Sequence, residues 1–129
     1  MSERLSIIVT AGHRERLQMA AMTASVAAVS GTEVIVFLSM NALAYFKKGA
    51  SEQPPAEGPF GALLVSKKAP DFKMLFQSAV ELGEARIHPC SMAVDVLGFG
   101  PEALEDYVGE PMGLTKFLED ASKGQLLTF

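Results

Sequence analysis

Cys90 is the residue of this chain best suited to covalent chemistry. It is the only cysteine among 129 residues, and it stands between a strand-like segment that ends at Pro89 and a helix-forming segment that begins at Ser91. The N-terminus of a helix carries a partial positive charge, and thiols at such positions are better nucleophiles. The position therefore predicts a nucleophilic Cys90. The alternative is a buried cysteine that acts as a small hydrophobic residue.

Two histidines could assist the sulfur. His88 precedes Cys90 by two residues, so in a strand both side chains would lie on one face, where His88 could hold or receive a proton. His13 follows the first predicted strand and could reach the same edge of the sheet from there. For both histidines the alternative is an ordinary hydrogen-bonded side chain. The three residues lack the close spacing of zinc sites, so we predict no metal ion and no cofactor.

Other residues at predicted strand ends are expected to line the site, because ligands of open α/β sheets gather at the carboxyl ends of the strands. These residues are Gly12, Asn41, Ser91 and Met92. The chain has no G-x-S-x-G elbow and no C-x-x-C pair, so serine hydrolysis and dithiol chemistry are not supported.

Strands and helices alternate along the sequence. Strands are predicted at 5–10, 33–39, 85–89 and 125–129, with a candidate edge strand at 108–110. Helices are predicted at 14–30, 40–48, 70–82, 91–97, 113–123 and, opened by Pro101, at 102–107. The strands are continuous apolar runs, which is typical of strands covered on both faces. The pattern predicts a three-layer α/β/α sandwich with a mainly parallel sheet of about five strands.

The stretch from 49 to about 66 is rich in proline and glycine and is interpreted as a loop that covers a site or contacts another subunit. The methionines are expected to fill the core. They are Met19, Met22, Met40, Met74, Met92 and Met112.

Composition excludes several classes of function. The formal net charge is −4, which disfavours binding to nucleic acid. The longest apolar stretch, 17–29, is too short to span a membrane, and the first residues do not resemble a secretory signal. One cysteine cannot form an internal disulfide, which favours a reducing compartment. We expect a cytoplasmic protein whose residues 1–129 form one domain.

Cys90 stands in the segment IHPCSMAVDVLG, residues 87–98, which resembles the cysteine segment of the DsrE/DsrF-like (DsrEFH-like) sulfur-relay family. In that family an acidic residue and a glycine follow the cysteine, and Asp95 and Gly98 match those positions. The opening 7–12 with the helix after it, and the end of the chain from 113, are also similar to the family.

The resemblance implies a persulfide carrier. Cys90 would take sulfane sulfur from a donor protein and pass it to an acceptor, with Asp95 lining the site. Donor and acceptor would be proteins such as a rhodanese or a small TusA-like carrier, and the chain would form a homo-oligomer, a trimer or a hexamer. The expected activity is sulfur transfer rather than multiple-turnover catalysis.

Two alternatives stay open at this point. The chain could be a non-catalytic ligand-binding or assembly module in which Cys90 is structural. It could also perform thiol-dependent peroxide or disulfide chemistry, for which an external partner would have to supply the second thiol.

Overall fold

Four strands form one parallel sheet at the centre of the fold, in a computed structural model that describes residues 3–100 and 102–129. The strands are β1 (Arg4–Val9), β2 (Glu33–Leu38), β3 (Arg86–Pro89) and β4 (Gly124–Thr128). Their order across the sheet is β3-β2-β1-β4. β1 and β2 lie in the middle and are almost fully buried, as their continuous apolar sequences predict.

Helices cover both faces of the sheet. They are α1 (Arg14–Val29), α2 (Met40–Leu43), α3 (Pro59–Ser66), α4 (Phe72–Gly83), α5 (Ser91–Leu97) and α6 (Leu114–Ala121). Right-handed crossovers place α1 and α4 together on one face, where they pack against each other. On the other face the Phe117 ring of α6 stacks on Phe37 of β2, with ring centroids 4.8 Å apart. The predicted three-layer parallel α/β class is confirmed.

The amino ends of three strands are tied by one carboxylate. Glu33 of β2 accepts hydrogen bonds from the Arg4 guanidinium at 2.9 and 3.0 Å and from Arg86 at 3.3 Å. The Arg4 hydrogen bond is the main cause that lowers the pKa of Glu33. Arg4 and Glu33 are register partners in the sheet, so the pair supports the alignment of β1 with β2.

The prediction that 49–66 is entirely a loop is wrong in its second half, where α3 begins at Pro59. A proline at the first helical position loses nothing by lacking an N–H group, because that group has no partner inside the helix. The backbone N–H groups of Gly58 and Gly61 also find an acceptor outside the helix, the carboxylate of Glu15. This distant partner is not visible in the local sequence.

The predicted helix at 102–107 is also wrong for the residues described, and Pro101 lies outside them. Extended pairing with the chain after α2 takes the backbone groups that a helix would use. The Lys48 N–H donates to the Ala103 carbonyl at 2.7 Å, and the Glu105 N–H donates to the Phe46 carbonyl at 2.9 Å. The predicted helix at 40–48 is correspondingly shorter, because a 3-10 turn at Ala44–Phe46 follows α2.

The sheet has four strands rather than about five in the part of the chain described here. The candidate strand at 108–110 is irregular, and only a single bridge joins Met112 to Cys90 beside it. Pro111 and two glycines, Gly109 and Gly113, interrupt this stretch, and residues of these types are depleted in regular strands.

The prediction that the methionines fill the core is wrong for five of the six. Met19, Met22, Met40, Met74 and Met92 are between 44% and 60% exposed. Beyond Leu17 and Gln18, α1 buries only small residues, among them Ala20, Ala24 and Ala28, while Met19 and Met22 point outward. No helix in residues 3–100 and 102–129 is long and apolar enough to cross a membrane.

The small residues let α1 and α4 approach closely, and Gly83 is the tightest point. A Cβ atom on Gly83 would lie 2.5 Å from the Cβ and 2.6 Å from the carbonyl carbon of Ala28. Gly100 offers the opposite case, because a Cβ there would meet no atom within 4 Å.

We expect Gly83→Ala to lower the free energy of unfolding by about 1–3 kcal/mol, the usual cost of an overpacked site. Chemical denaturation measures this change. Gly100→Ala is the matched control and should leave the free energy within about 0.5 kcal/mol of the parent. Equal stability of the two variants would contradict the close packing of α1 on α4.

Candidate functional site

The structure places Cys90 at the junction between β3 and α5. Its N–H donates to the Leu38 carbonyl of β2 at 2.8 Å, which continues the sheet by one residue. Its carbonyl accepts the Val94 N–H at 2.9 Å, the first hydrogen bond of α5. Both backbone groups of Cys90 are thus used by regular structure, so its side chain is held at a fixed point.

Cys90 is only 6% exposed and belongs to the hydrophobic core. This burial differs from the open position that a reactive thiol usually has. The sequence left a buried cysteine as the alternative to a reactive one.

Residues 108–112 lie along the outer edge of β3, and we call them the edge segment. The Gly109 N–H donates to the Ile87 carbonyl at 2.7 Å, and the Met112 N–H donates to the Pro89 carbonyl at 2.9 Å. The Ser91 N–H in turn donates to the Met112 carbonyl at 3.0 Å. The edge segment therefore satisfies the outer carbonyl groups of β3, and Met112 forms a bridge with Cys90.

His88 also holds the edge segment. Its Nδ1 lies 2.8 Å from the Glu110 carbonyl oxygen, and because a carbonyl only accepts, Nδ1 carries the proton. The other ring nitrogen, Nε2, is buried, and no described residue pairs with it. Strand alternation places His88 on the same face as Cys90. His88 is therefore the histidine that the fold associates with the sulfur.

His13 lies elsewhere. It precedes α1 at the end of β1 and is exposed. β2 separates β1 from β3, so the two strand ends are about 10 Å apart at a spacing of about 4.8 Å per strand. The structure brings His13 together with Gly12 and Asn41 rather than with Cys90.

Two cavities flank these groups. One, of about 700 Å³, lies between the end of β3, α5 and the edge segment and is mainly apolar, with Pro89, Val94, Phe99, Leu104 and Val108 in its walls. The other, of about 410 Å³, lies at the carboxyl ends of β1 and β2.

The residues predicted to line one site lie in two places, the second cavity and α5. Gly12, His13 and Asn41 line the second cavity. Ser91 is half-buried at the start of α5. Met92 and Asp95 are exposed on that helix.

Gly12 and Asn41 meet at the floor of the second cavity. A Cβ atom on Gly12 would lie 2.9 Å from the Cβ of Asn41, so this close approach requires glycine. The neighbouring gap between β1 and β4 is filled by the chain itself, because the Phe129 carbonyl accepts the N–H groups of Thr10 and Ala11 at 2.8 and 3.3 Å.

Glu15 holds one wall of the second cavity in place. The sequence analysis did not predict this role for Glu15. Its carboxylate accepts the N–H groups of Glu57, Gly58 and Gly61 at 2.7–3.0 Å. These backbone hydrogen bonds, the one from Glu57 first, lower its pKa to about 2. The segment it holds carries Pro55, which lines the cavity. An acidic residue in the first turn of a helix is commonly explained by the helix dipole, and nothing local indicates this second role.

Within residues 3–100 and 102–129, no three His, Cys, Asp or Glu side chains come close enough together to hold a metal ion. What the described arrangement offers is a single buried thiol, a neighbouring histidine and an apolar cavity.

We expect Glu15→Gln to release the wall of the second cavity. The pKa of Glu15 is lowered from 4.5 to about 2, so its stabilising effect is complete above pH 4.5 and disappears as the pH falls towards 2. The variant should lose this pH dependence and should show faster hydrogen exchange at the amides of Glu57, Gly58 and Gly61, measured at neutral pH.

Glu57→Gln is the matched control for charge. Glu57 makes an exposed ion pair with Arg16 at 3.3 Å, and such surface pairs contribute little. If the three amides exchange at the parental rate in Glu15→Gln, the carboxylate does not hold this segment.

Comparison with known proteins places the geometry in context. A sequence model of the DsrE/DsrF/DrsH-like family matches residues 57–129, more than half of the chain. The ychN protein of E. coli has a similar structure, with a TM-score of 0.72, 17% identity and full coverage of both chains. MTH1491 of Methanobacterium thermoautotrophicum, described as a protein of unknown function, gives 0.64 at 9% identity, over 99% of this chain and 100% of that one. No curated protein matches the chain.

Proposed function

The chain belongs to the DsrE/DsrF/DrsH-like family, and on that premise we propose that it carries sulfane sulfur as a persulfide on Cys90. Family membership supports a function of the sulfur-relay type in general. The observation that carries the finer proposal is that the only cysteine of the chain lies at the end of β3, inside the matched part. We further propose that residues 1–129 form one domain of this family.

The chemistry requires one thiol and no net oxidation. The Cys90 thiolate attacks the outer sulfur of a donor persulfide, a new S–S bond forms, and the donor leaves as its thiolate. The proton of the donor persulfide stays on the transferred sulfur. An acceptor thiolate then attacks that outer sulfur and releases Cys90 as a thiolate. A disulfide-based cycle would need a second cysteine, which this chain does not contain.

We assign the surrounding residues by their positions. Cys90 precedes the first turn of α5, which Ser91 and Met92 open, and we propose that the partial positive charge of this helix end favours the thiolate. His88 is a positioning residue, because its hydrogen bond to Glu110 holds the edge segment beside Cys90. Asp95 lies on the exposed side of α5, where a partner protein can contact it. His13 takes no part in the chemistry under this assignment.

Access to the sulfur follows from the same geometry. Cys90 is 6% exposed, and Pro89, its neighbour in the chain, and Val94 of α5 line the apolar cavity of about 700 Å³. We propose that this cavity receives the sulfur-bearing end of a donor or acceptor protein, such as a rhodanese or a small TusA-like carrier. We also propose that the protein is cytoplasmic and forms a homo-oligomer, which its single cysteine and its family membership support.

Incubation with a low-molecular-weight persulfide donor should add the mass of one sulfur atom to the protein, as measured by intact-mass spectrometry. A reductant should remove the added mass. Cys90→Ser should show no addition while its thermal unfolding and its oligomeric state stay those of the parent. Sulfur loading of the Cys90→Ser variant would contradict the proposal.

Replacing each histidine separately tests their assignment. We expect His88→Gln to slow sulfur loading about tenfold or more and to accelerate hydrogen exchange at the amides of Gly109 and Met112, because the edge segment is loosened. His13→Gln is the matched control and should load at the parental rate. If His13→Gln loads slowly and His88→Gln normally, the roles assigned to the two histidines are wrong.

One observation favours a second candidate function, a non-catalytic assembly module with a structural cysteine. Cys90 is as buried as the core residues around it. Alkylation separates the two candidates. A sulfur carrier should be modified in the native protein within minutes, whereas a structural cysteine should react only at the rate of unfolding.

A further inference from the structure

The guanidinium of Arg14, the first residue of α1, is hydrogen-bonded on one side only in the described chain. Its Nη1 donates to the Gly61 carbonyl of α3 at 3.0 Å. Its Nε is buried and has no hydrogen-bond partner in residues 3–100 and 102–129, and no acceptor from these residues pairs with Nη2. A donor that is shielded from water and has no acceptor is unfavourable in the folded state. Such a donor in a native fold points to a further group that binds there.

Two other arginines of the chain show which group fits this edge of the guanidinium. Arg4 donates from Nε and Nη2 to the two carboxylate oxygens of Glu33 at 2.9 and 3.0 Å, while its Nη1 donates to a backbone carbonyl at 2.9 Å. Arg16 directs Nε and Nη2 at the carboxylate of Glu57 at 3.3–3.4 Å. The two parallel N–H groups of this edge match the geometry of a carboxylate. Arg14 repeats the pattern of Arg4, with a backbone carbonyl on Nη1, but no carboxylate of the described residues forms an ion pair with it.

A cavity of about 340 Å³ has Arg14 in its wall. It lies between the start of α1, the end of α3 and the start of α4. Lys68 is a second cation in the wall, and Asp71 is the only carboxylate among the described residues that line it. The rest of the wall is mainly apolar and includes Leu64, Val65, Pro70 and Phe72.

The polar side of this cavity is built into the fold. Arg14 and Gln18 are four residues apart on α1 and therefore lie on one face of the helix. Gln18 is only 8% exposed, and its Nε2 donates to the Pro70 carbonyl at 3.0 Å, which holds the linker between α3 and α4 against α1. Because Arg14 holds Gly61 in the same way, both sides of the cavity are attached to α1 and the site is preformed, as is usual for small-molecule sites.

We propose that this cavity binds a small organic monocarboxylate. The carboxylate of the ligand accepts two parallel hydrogen bonds, from Nε and Nη2 of Arg14, and its apolar chain lies against the apolar side of the cavity. Binding gives the buried Nε–H an acceptor and removes the apolar chain from water.

The charges and the volume of the cavity define this class of ligand. Arg14, Lys68 and Asp71 give the wall a net charge of +1, which matches a ligand with one negative charge. A phosphate dianion would add a second negative charge near Asp71 and has no apolar part for the rest of the wall. A volume of about 340 Å³ is at the lower end for ligand pockets, which indicates a small metabolite rather than a polymer.

The site is separate from the proposed sulfur chemistry. The residues that line it belong to α1, α3, α4 and the chain beside them, and they include neither Cys90 nor His88 nor the edge segment. The inference therefore does not rest on sulfur transfer, and each of the two proposals can fail alone.

Titration of the parent protein with hexanoate, followed by NMR of isotope-labelled arginine side chains, tests the proposal directly. Hexanoate carries one carboxylate on a short apolar chain. We expect saturable binding at about millimolar concentration, which is reasonable for so few atoms, with a shift of the Arg14 Nε–H resonance. Hexanamide has the same chain without the charge and should bind about tenfold more weakly, or worse.

Variants identify the residue responsible, with the backbone amides around the cavity as the NMR signals. Arg14→Lys keeps the positive charge and loses the two parallel N–H donors, so it should weaken hexanoate binding about tenfold or more. Arg16→Lys is the matched control and should bind like the parent, because Glu57 uses that edge of Arg16. Arg14→Lys should load sulfur at the parental rate, and Cys90→Ser should bind hexanoate like the parent.

Four results would overturn the proposal. If hexanoate leaves the Arg14 Nε–H resonance unchanged, the ligand does not bind at this edge. Equal binding of hexanamide would show an apolar cavity without carboxylate recognition, and equal binding of inorganic phosphate would show a general anion site. Parental binding by Arg14→Lys would remove the role of the two parallel donors.

The fold of Arg14→Lys is checked by thermal unfolding, because Gly61 loses its partner in this variant. If it does not fold, Lys68→Gln takes its place. Lys68 is exposed, and loss of its charge should weaken hexanoate binding severalfold without a change in thermal unfolding. Parental affinity in Lys68→Gln would then contradict the proposed charge match.

Discussion

The hydrogen bonds that continue beyond the carboxyl ends of the strands determine most of this architecture. Cys90 donates to Leu38, Ser39 donates to Val9, and Thr10 donates to Phe129. Each bond joins the first residue after one strand to its neighbour, so the turns are held in step with the sheet. Because the proposed site residues lie in these turns, the main chain sets their relative positions. The same bonds explain why His13 and Cys90, which follow β1 and β3, stay apart.

The sequence is sufficient to predict the strands and the position of Cys90 between a strand and a helix. Continuous apolar runs such as that of β2 have few alternatives to burial in a parallel sheet, and the switch from strand to helix at Cys90 is local. The helix α5 has the predicted bounds, 91–97. Local patterns of this kind are strong because a few adjacent residues decide them.

Contacts between distant segments could not be predicted in the same way. Glu15 stabilises the start of α3 from another helix, and pairing with Phe46 and Lys48 prevents a helix at 102–107. Met112, 22 positions along the chain, pairs with the main chain at Cys90. In each case a backbone group forms its hydrogen bond with a residue that is distant in the sequence. The helix or strand propensity of the neighbouring residues does not predict such a bond. The exposed methionines have a related cause, because apolar composition does not say which side of a helix faces the core.

The two edges of the sheet differ in how their backbone groups are covered. The proposed site at Cys90 lies at the β3 edge, where the edge segment pairs with the outer carbonyl groups, and β4 forms the opposite edge. Substitutions that alter one edge therefore have little physical route to the other, since the buried strands β1 and β2 lie between them.

Glu15 has a further meaning for ligand binding. Its carboxylate occupies the place at the start of α3 where a phosphate or sulfate would otherwise be attracted by unpaired N–H groups. The protein thus carries its own anion there, covalently attached and permanently in place. A chain with a small neutral residue at position 15 would leave the N–H groups of Glu57, Gly58 and Gly61 without this acceptor.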